Sequence, residues 1–171
     1  MTTFFRSALA ASAAIATFAG AAPAFAAATA TADAKAEILS TLTLAVATGS
    51  SLDFGQIANN GGGTATVDPS TGNRTCSALL VCVGASSPVQ FNVGGTTGVA
   101  VVETLPSSAV TLTGTNTGQT MALSGFTSYF PAGNTLVAGA TSFLVGGTLT
   151  VGATQAADLY SGTFDVSVEY Q

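Results

Sequence analysis

The sequence predicts an all-β fold, an antiparallel sandwich or barrel. Three observations carry that prediction. Short runs of alternating apolar and polar residues follow one another beyond residue 39, bounded by Gly, Pro, Asn and Ser. Between them the chain is dense in Gly and Thr, while helix formers are sparse after Lys35. Finally, residues 163–170 alternate throughout: Phe164, Val166, Val168 and Tyr170 share one parity, and Thr163, Asp165, Ser167 and Glu169 the other. With a side-chain period of two, one face of such a segment is apolar and the other polar.

In chain order, the first 26 of the 171 residues read as a secretory signal peptide. Arg6 supplies the positive n-region and residues 7–22 an Ala-rich apolar stretch. Pro23 breaks that stretch, and Ala24-Phe25-Ala26 offers the small residues a signal peptidase reads. The stretch is short for a membrane span, and no second long apolar run follows, so no transmembrane helix is expected after cleavage. The remaining 145 residues carry Lys35 and Arg74 against eight acids, a net charge of −6. Residues 27–38 form an N-terminal extension in which Ala28, Ala30, Ala32, Ala34, Ala36 and Ile38 alternate with Thr29, Thr31, Asp33, Lys35 and Glu37. This pattern fits a linker or a frayed Ala-rich helix, and it also fits a strand that pairs with another subunit.

Residues 39–171 form the β domain. Its first candidate strands are residues 39–47, with Leu42, Leu44 and Val46 on one side, then 52–57 and 64–68. Residues 59–63 (NNGGG) and 69–73 (PSTGN) are turns, because Asn and Gly tolerate positive φ. Strands follow at 76–83, 89–93 and 99–105, the last stopped by Pro106. Residues 110–113 and 119–123 form a hairpin about Gly114-Thr115-Asn116-Thr117-Gly118. Residues 126–130 come next, then 143–145 and 148–151 on either side of Gly146-Gly147, and a last strand at 160–170.

The composition excludes several functions. Without His, imidazole-based catalysis and most transition-metal sites are gone. Three basic residues in the whole chain cannot neutralise a run of phosphates, so no nucleic-acid partner is expected. Asp53, Asp68, Glu103 and Asp158 could serve carboxylate chemistry only if two of them met across a cleft, and nothing in the sequence brings any two together. No calcium-loop motif occurs. No enzyme activity, catalytic residue, cofactor or metal is therefore expected. Cys76 and Cys82, an even pair in an exported chain, read as a disulfide that closes a small loop. Asn73-Arg74-Thr75 matches a glycosylation sequon but reads as a turn. An outer-membrane barrel would suit 145 residues, yet most candidate strands are too short to cross a bilayer, and aromatic girdles are missing.

The stretches SLDFGQI (residues 51–57), GGGTATVDPSTGNRT (61–75) and VGGTLTVGATQAADLYSGTFDVSVEYQ (145–171) resemble the family called domain of unknown function 4402, exported bacterial β proteins similar to fimbrial subunits. The LDFG element and the final Y-S-G-T-F-x-V-x-V-x-Y element are the most specific. The C-terminal element is also similar to that of chaperone–usher pilins and spore-coat-U-like proteins, where a Gly precedes an alternating last strand with a penultimate Tyr. The resemblance implies a single immunoglobulin-like, pilin-like sandwich. It gives those roles to Gly162 and Tyr170, and makes Phe164, Val166 and Val168 the apolar positions held by a neighbour or a periplasmic chaperone. Two features depart from the pilin pattern: the extension offers alanines instead of large hydrophobes, and Cys76 and Cys82 lie closer together than the usual pair.

The function expected on this basis is a structural subunit of a surface filament or fimbria-like coat, assembled by strand addition. Copies of itself or related subunits are the expected partners, with a periplasmic chaperone and an outer-membrane usher. The expected route is through the periplasm to the cell surface. The alternative is a monomeric, adhesin-like sandwich that binds a ligand through its Thr/Gly/Asn loops. Tyr129 and Phe130 beside Pro131 would be its one exposed aromatic pair, unless they belong to the core.

Overall fold

The computed structural model describes residues 27–171. The expected signal peptide therefore lies outside the described residues. Residues 27–40 are exposed and form no strand, and Glu37–Gln171 is one compact unit. That unit is all-β. Its twelve strands are β1 (Thr43–Val46), β2 (Gln56–Asn59), β3 (Gly63–Val67), β4 (Arg74–Cys76), β5 (Leu80–Val83), β6 (Val89–Gly94), β7 (Val101–Thr104), β8 (Val110–Gly114), β9 (Thr120–Tyr129), β10 (Ala140–Val151), β11 (Tyr160–Ser161) and β12 (Ser167–Tyr170).

The main sheet has the order β1-β6-β10-β9-β8-β11. All of its pairings are antiparallel. Strand β10 is its axis. One edge of β10 pairs with β6 through residues 140–145 and with β3 through residues 147–151; the other pairs with β9. Strand β4 continues the sheet beyond β3. Two ribbons, β12–β7 and β2–β5, supply the second layer. Val101, Val168 and Tyr170 of the first ribbon pack with Phe91, Phe143 and Val145 of the main sheet. Ile57, Leu80 and Cys82 of the second pack with Val67, Leu149 and Val151. The core is thus two clusters, one under each ribbon, and Leu52, Phe126 and Phe164 touch both.

The predicted class holds, but several boundaries move. The first strand is only Thr43–Val46, and Val46 is 51% exposed instead of sharing the inward side with Leu42 and Leu44. Most of residues 52–57 makes a single bridge, Asp53 to Ser87, and the ladder begins at Gln56. Residues 76–83 are not one strand. The chain turns at residues 77–79, and the disulfide Cys76–Cys82, with Cα atoms 6.5 Å apart, joins β4 to β5. Residues 119–123 and 126–130 merge into β9, because Gly125 at φ +59° takes up one extra residue as a bulge between Ser124 and Thr127. Gly146-Gly147 lies inside the continuous twelve-residue β10. There the glycines permit a close approach: a Cβ on Gly146 would sit 2.9 Å from Pro69 Cδ and collide with the Val67 carbonyl. Residues 160–170, read as one strand, are two.

Candidate functional site at the terminal edge

The break in the last strand has a local cause. Tyr160 and Ser161 pair with Gly114 and Thr113 of β8, whereas Ser167 to Tyr170 pair with Thr104 to Val101 of β7. Residues 162–166, five in number, thus face residues 105–112, eight in number, and no common register fits both ends. The surplus bends outward at Pro106-Ser107-Ser108. Proline has no N–H to offer a ladder, so it is tolerated where pairing stops. Between this bend and residues 163–167 lies an open cleft of about 450 Å³. Residues 162–166 form no ladder pair on either side.

The inward parity expected for this segment is the one observed. Phe164, Val166, Val168 and Tyr170 pack against the core clusters, and Phe164 lies 4.8 Å from Phe126 between ring centroids. All four are nevertheless only half-buried, unlike Phe143 or Val145, which are completely covered. Thr163, Asp165, Ser167 and Glu169 face solvent. Gly162 has a steric reason. A Cβ there would meet the Thr111 carbonyl at 2.6 Å and Leu112 Cδ2 at 2.8 Å, where the segment crosses β8.

Tyr170 ties the end of the domain to its beginning. Its hydroxyl accepts a hydrogen bond from the Thr96 N–H at 2.7 Å and donates one to the Ser40 carbonyl at 2.7 Å. The Ser40 N–H in turn donates to Thr96 Oγ1 at 2.7 Å. A Cβ on Gly95 would strike this hydroxyl and Leu42. The sequence singles out Tyr170 but not Ser40 or Thr96, which have no motif of their own.

The backbone polarity of the edge follows from one bond. Gln171 N–H donates to the Ala100 carbonyl at 3.0 Å, in register with the β12–β7 ladder. In an antiparallel pair, alternate residues bond to the partner. Residues 167, 169 and 171 therefore direct their N–H and C=O groups toward β7, and residues 166, 168 and 170 direct theirs away. Among the described residues, strand β12 pairs with β7 alone and β1 with β6 alone, so each keeps an unpaired side. Such an edge is a template for another strand.

The other sequence-selected residues fall into structural roles. In LDFG, the Asp53 carboxylate accepts the Gly55 N–H at 2.7 Å, Phe54 is buried, and Gly55 at φ +62° clears space for Arg74. The Arg74 guanidinium donates to the Phe54 and Gly84 carbonyls. Phe130 packs on Phe143 with ring centroids 5.0 Å apart, so it belongs to the core, while Tyr129 is 41% exposed. Asp158 accepts from the Thr117 N–H at 2.7 Å, from Thr117 Oγ1 at 2.8 Å, and from the Asn116 N–H and side-chain amide. These bonds, led by that of the Thr117 N–H, hold its carboxyl far below the usual carboxylate range. The Ser70 hydroxyl, followed by the Thr71 and Ser70 N–H groups, lowers Asp68 in the same way. Both carboxylates staple turns. Among the described residues, no three His, Cys, Asp or Glu side chains gather as a metal site requires. Ala28, Ala30, Ala32, Ala34 and Ala36 are all exposed, as is Ile38 at 96%.

The family described as domain of unknown function DUF4402 matches residues 44–170. No curated protein and no solved structure matches the chain.

Proposed function

The chain belongs to the family described as domain of unknown function DUF4402, and from that premise we propose that it is a structural subunit of a bacterial surface filament or fimbria-like coat, assembled by strand addition. One observation carries this reading: among the described residues, the terminal segment of the sandwich has no partner on its outer side. Residues 162–166 form no ladder pair, β12 is paired on one side only, and the apolar side chains beneath them are half-covered. An added strand would supply main-chain hydrogen bonds to that edge and cover Phe164, Val166, Val168 and Tyr170. The exposed extension at residues 27–38 is the donor this reading selects. A donor at one site and an acceptor at another make a head-to-tail contact, which propagates as a fibre and does not close.

In this reading the subunit is exported through the periplasm to the cell surface. A periplasmic chaperone would hold the open edge in transit, an outer-membrane usher would follow, and copies of itself or related subunits are the final partners. The test compares the chain lacking residues 1–26 with one that also lacks residues 27–37, by size-exclusion chromatography and electron microscopy. Oligomers or fibres that vanish with the longer deletion support strand addition. Monomers from both would overturn it in favour of a self-complete, adhesin-like domain.

A further inference from the structure

Given strand addition at the terminal edge, we propose that the added strand is residues 30–38 of a second copy, running antiparallel to residues 162–170 with Lys35 opposite Asp165. The proposal rests on the preceding reading and adds to it a direction, a register and a charge pair.

Face matching limits the choices first. The extension alternates small apolar residues with polar ones, and the terminal segment alternates large apolar residues with polar ones. Both apolar sets must point inward, so the two strands can slide past each other only in steps of two residues. Charge then narrows those registers to two: Lys35 opposite Asp165, or Lys35 opposite Glu169 two steps away. With Lys35 opposite Asp165, Thr31 faces Glu169, Asp33 faces Ser167 and Glu37 faces Thr163. The one cation of the extension thus meets a carboxylate, and no like charges stand opposite each other. Sliding by one step places Asp33 opposite Asp165. Sliding the other way places Asp33 opposite Glu169 and Glu37 opposite Asp165. Like charges directly opposite destabilise a pair, and opposite charges support it.

Volume and tethering select the first of these, since the second sets Ile38 against Val166 and draws Ser40, which is bonded to Thr96 and Tyr170 of its own domain, opposite Phe164. On the inner face, Ala30, Ala32, Ala34 and Ala36 fall opposite Tyr170, Val168, Val166 and Phe164. Ile38, the one large apolar side chain of the extension, falls opposite Gly162, the one position of the segment with no side chain of its own, beside which Leu112 of β8 lies. The alanines that depart from the usual donor pattern are thus matched to an edge whose own side chains already fill most of the inner face. A parallel strand with Lys35 at Asp165 would instead place Ile38 against Val168 and leave Gly162 facing Ala32. Antiparallel pairing is also slightly the more stable per residue.

The test uses cysteine pairs on the solvent face, where substitution disturbs no core contact. The chain has no free cysteine of its own. One protein carries Ser167→Cys, and is mixed under mild oxidation with a second carrying Asp33→Cys, or with one carrying Thr31→Cys. Directly opposite residues lie within disulfide reach, whereas a two-residue offset exceeds it. The proposal expects the Asp33→Cys partner to link the two copies at least about tenfold more than the Thr31→Cys partner. In parallel, Lys35→Glu and Asp165→Lys should each reduce the assembled fraction by roughly fivefold at low salt, and the double variant should restore it. Preferential linkage by Thr31→Cys, or single reversals without effect, overturns the register while leaving strand addition standing. A full-length chain that stays monomeric with no linkage in either mixture overturns both.

Discussion

Strand β10 and the terminal segment at residues 160–170 invert each other. The sequence reads β10 as two strands parted by Gly146-Gly147, yet it runs unbroken for twelve residues with ladders on both edges. The terminal segment reads as the clearest single strand of the chain, yet its ladder breaks for five residues and its outer side has no partner. The difference teaches what alternation encodes. It records which side of the backbone meets apolar surroundings, because that is set by side chains. It does not record whether N–H and C=O groups find a neighbour, because that is set by the lengths of the adjoining chains. The surplus of residues in 105–112 over 162–166 breaks one strand, and the lack of a side chain at Gly146 lets β3 and Pro69 close on the other.

The sharpest way to break this comparison is to truncate matched phenylalanines. Phe143 is fully buried, 5.2 Å from Phe91 and 5.0 Å from Phe130 between ring centroids. Phe143→Ala is expected to cost about 4 kcal/mol in denaturant unfolding, the usual range for a buried Phe. Phe164 is only partly buried, so Phe164→Ala should cost less, about 2–3 kcal/mol. Equal losses would mean that the terminal segment is covered like the axis. The glycines give a smaller contrast. Gly146→Ala pushes a methyl into a fixed carbonyl and the Pro69 ring and should cost about 3 kcal/mol. Gly162→Ala meets the Thr111 carbonyl too, but residues 162–166 have no ladder to hold them and can shift, so a loss of about 1 kcal/mol is expected.

The smallest effect concerns Asp158, which precedes the terminal segment and staples the β8–β9 turn through Asn116 and Thr117. The carboxyl of Asp158 is lowered in the folded state, so its contribution to stability is complete above the ordinary value of 3.8 and is lost as pH falls through the lowered folded-state value. Melting temperatures measured from neutral to strongly acidic pH should therefore fall more steeply for the natural chain than for Asp158→Asn. Asp68, lowered by its own turn, keeps some acid sensitivity in both. Parallel profiles would remove Asp158 as the staple of the β8–β9 turn.

Much of the architecture is legible where local chemistry and tertiary structure agree. The 110–123 hairpin is announced by Gly114 and Gly118, and LDFG by a Gly whose positive φ is needed beneath Arg74. Cys76 and Cys82 do bond to each other, although across a turn instead of within one strand. For the candidate site, the inward parity of Phe164 to Tyr170 and the special status of Gly162 can be read directly. The free edge cannot, since Pro106 reveals only that one strand stops. The link from Tyr170 to Ser40 and Thr96 also cannot, since it spans 130 and 74 residues and uses two backbone groups that carry no side-chain signature.

Residue-resolved hydrogen exchange on the full chain tests the central claim most directly. In dilute monomer, the amides of Phe164, Val166 and Val168 should exchange orders of magnitude faster than those of Val145 and Leu149 in β10, and should become protected as the protein assembles. Protection of those terminal amides in the monomer at the level of β10 would contradict an open edge, and the proposed assembly would lose its acceptor.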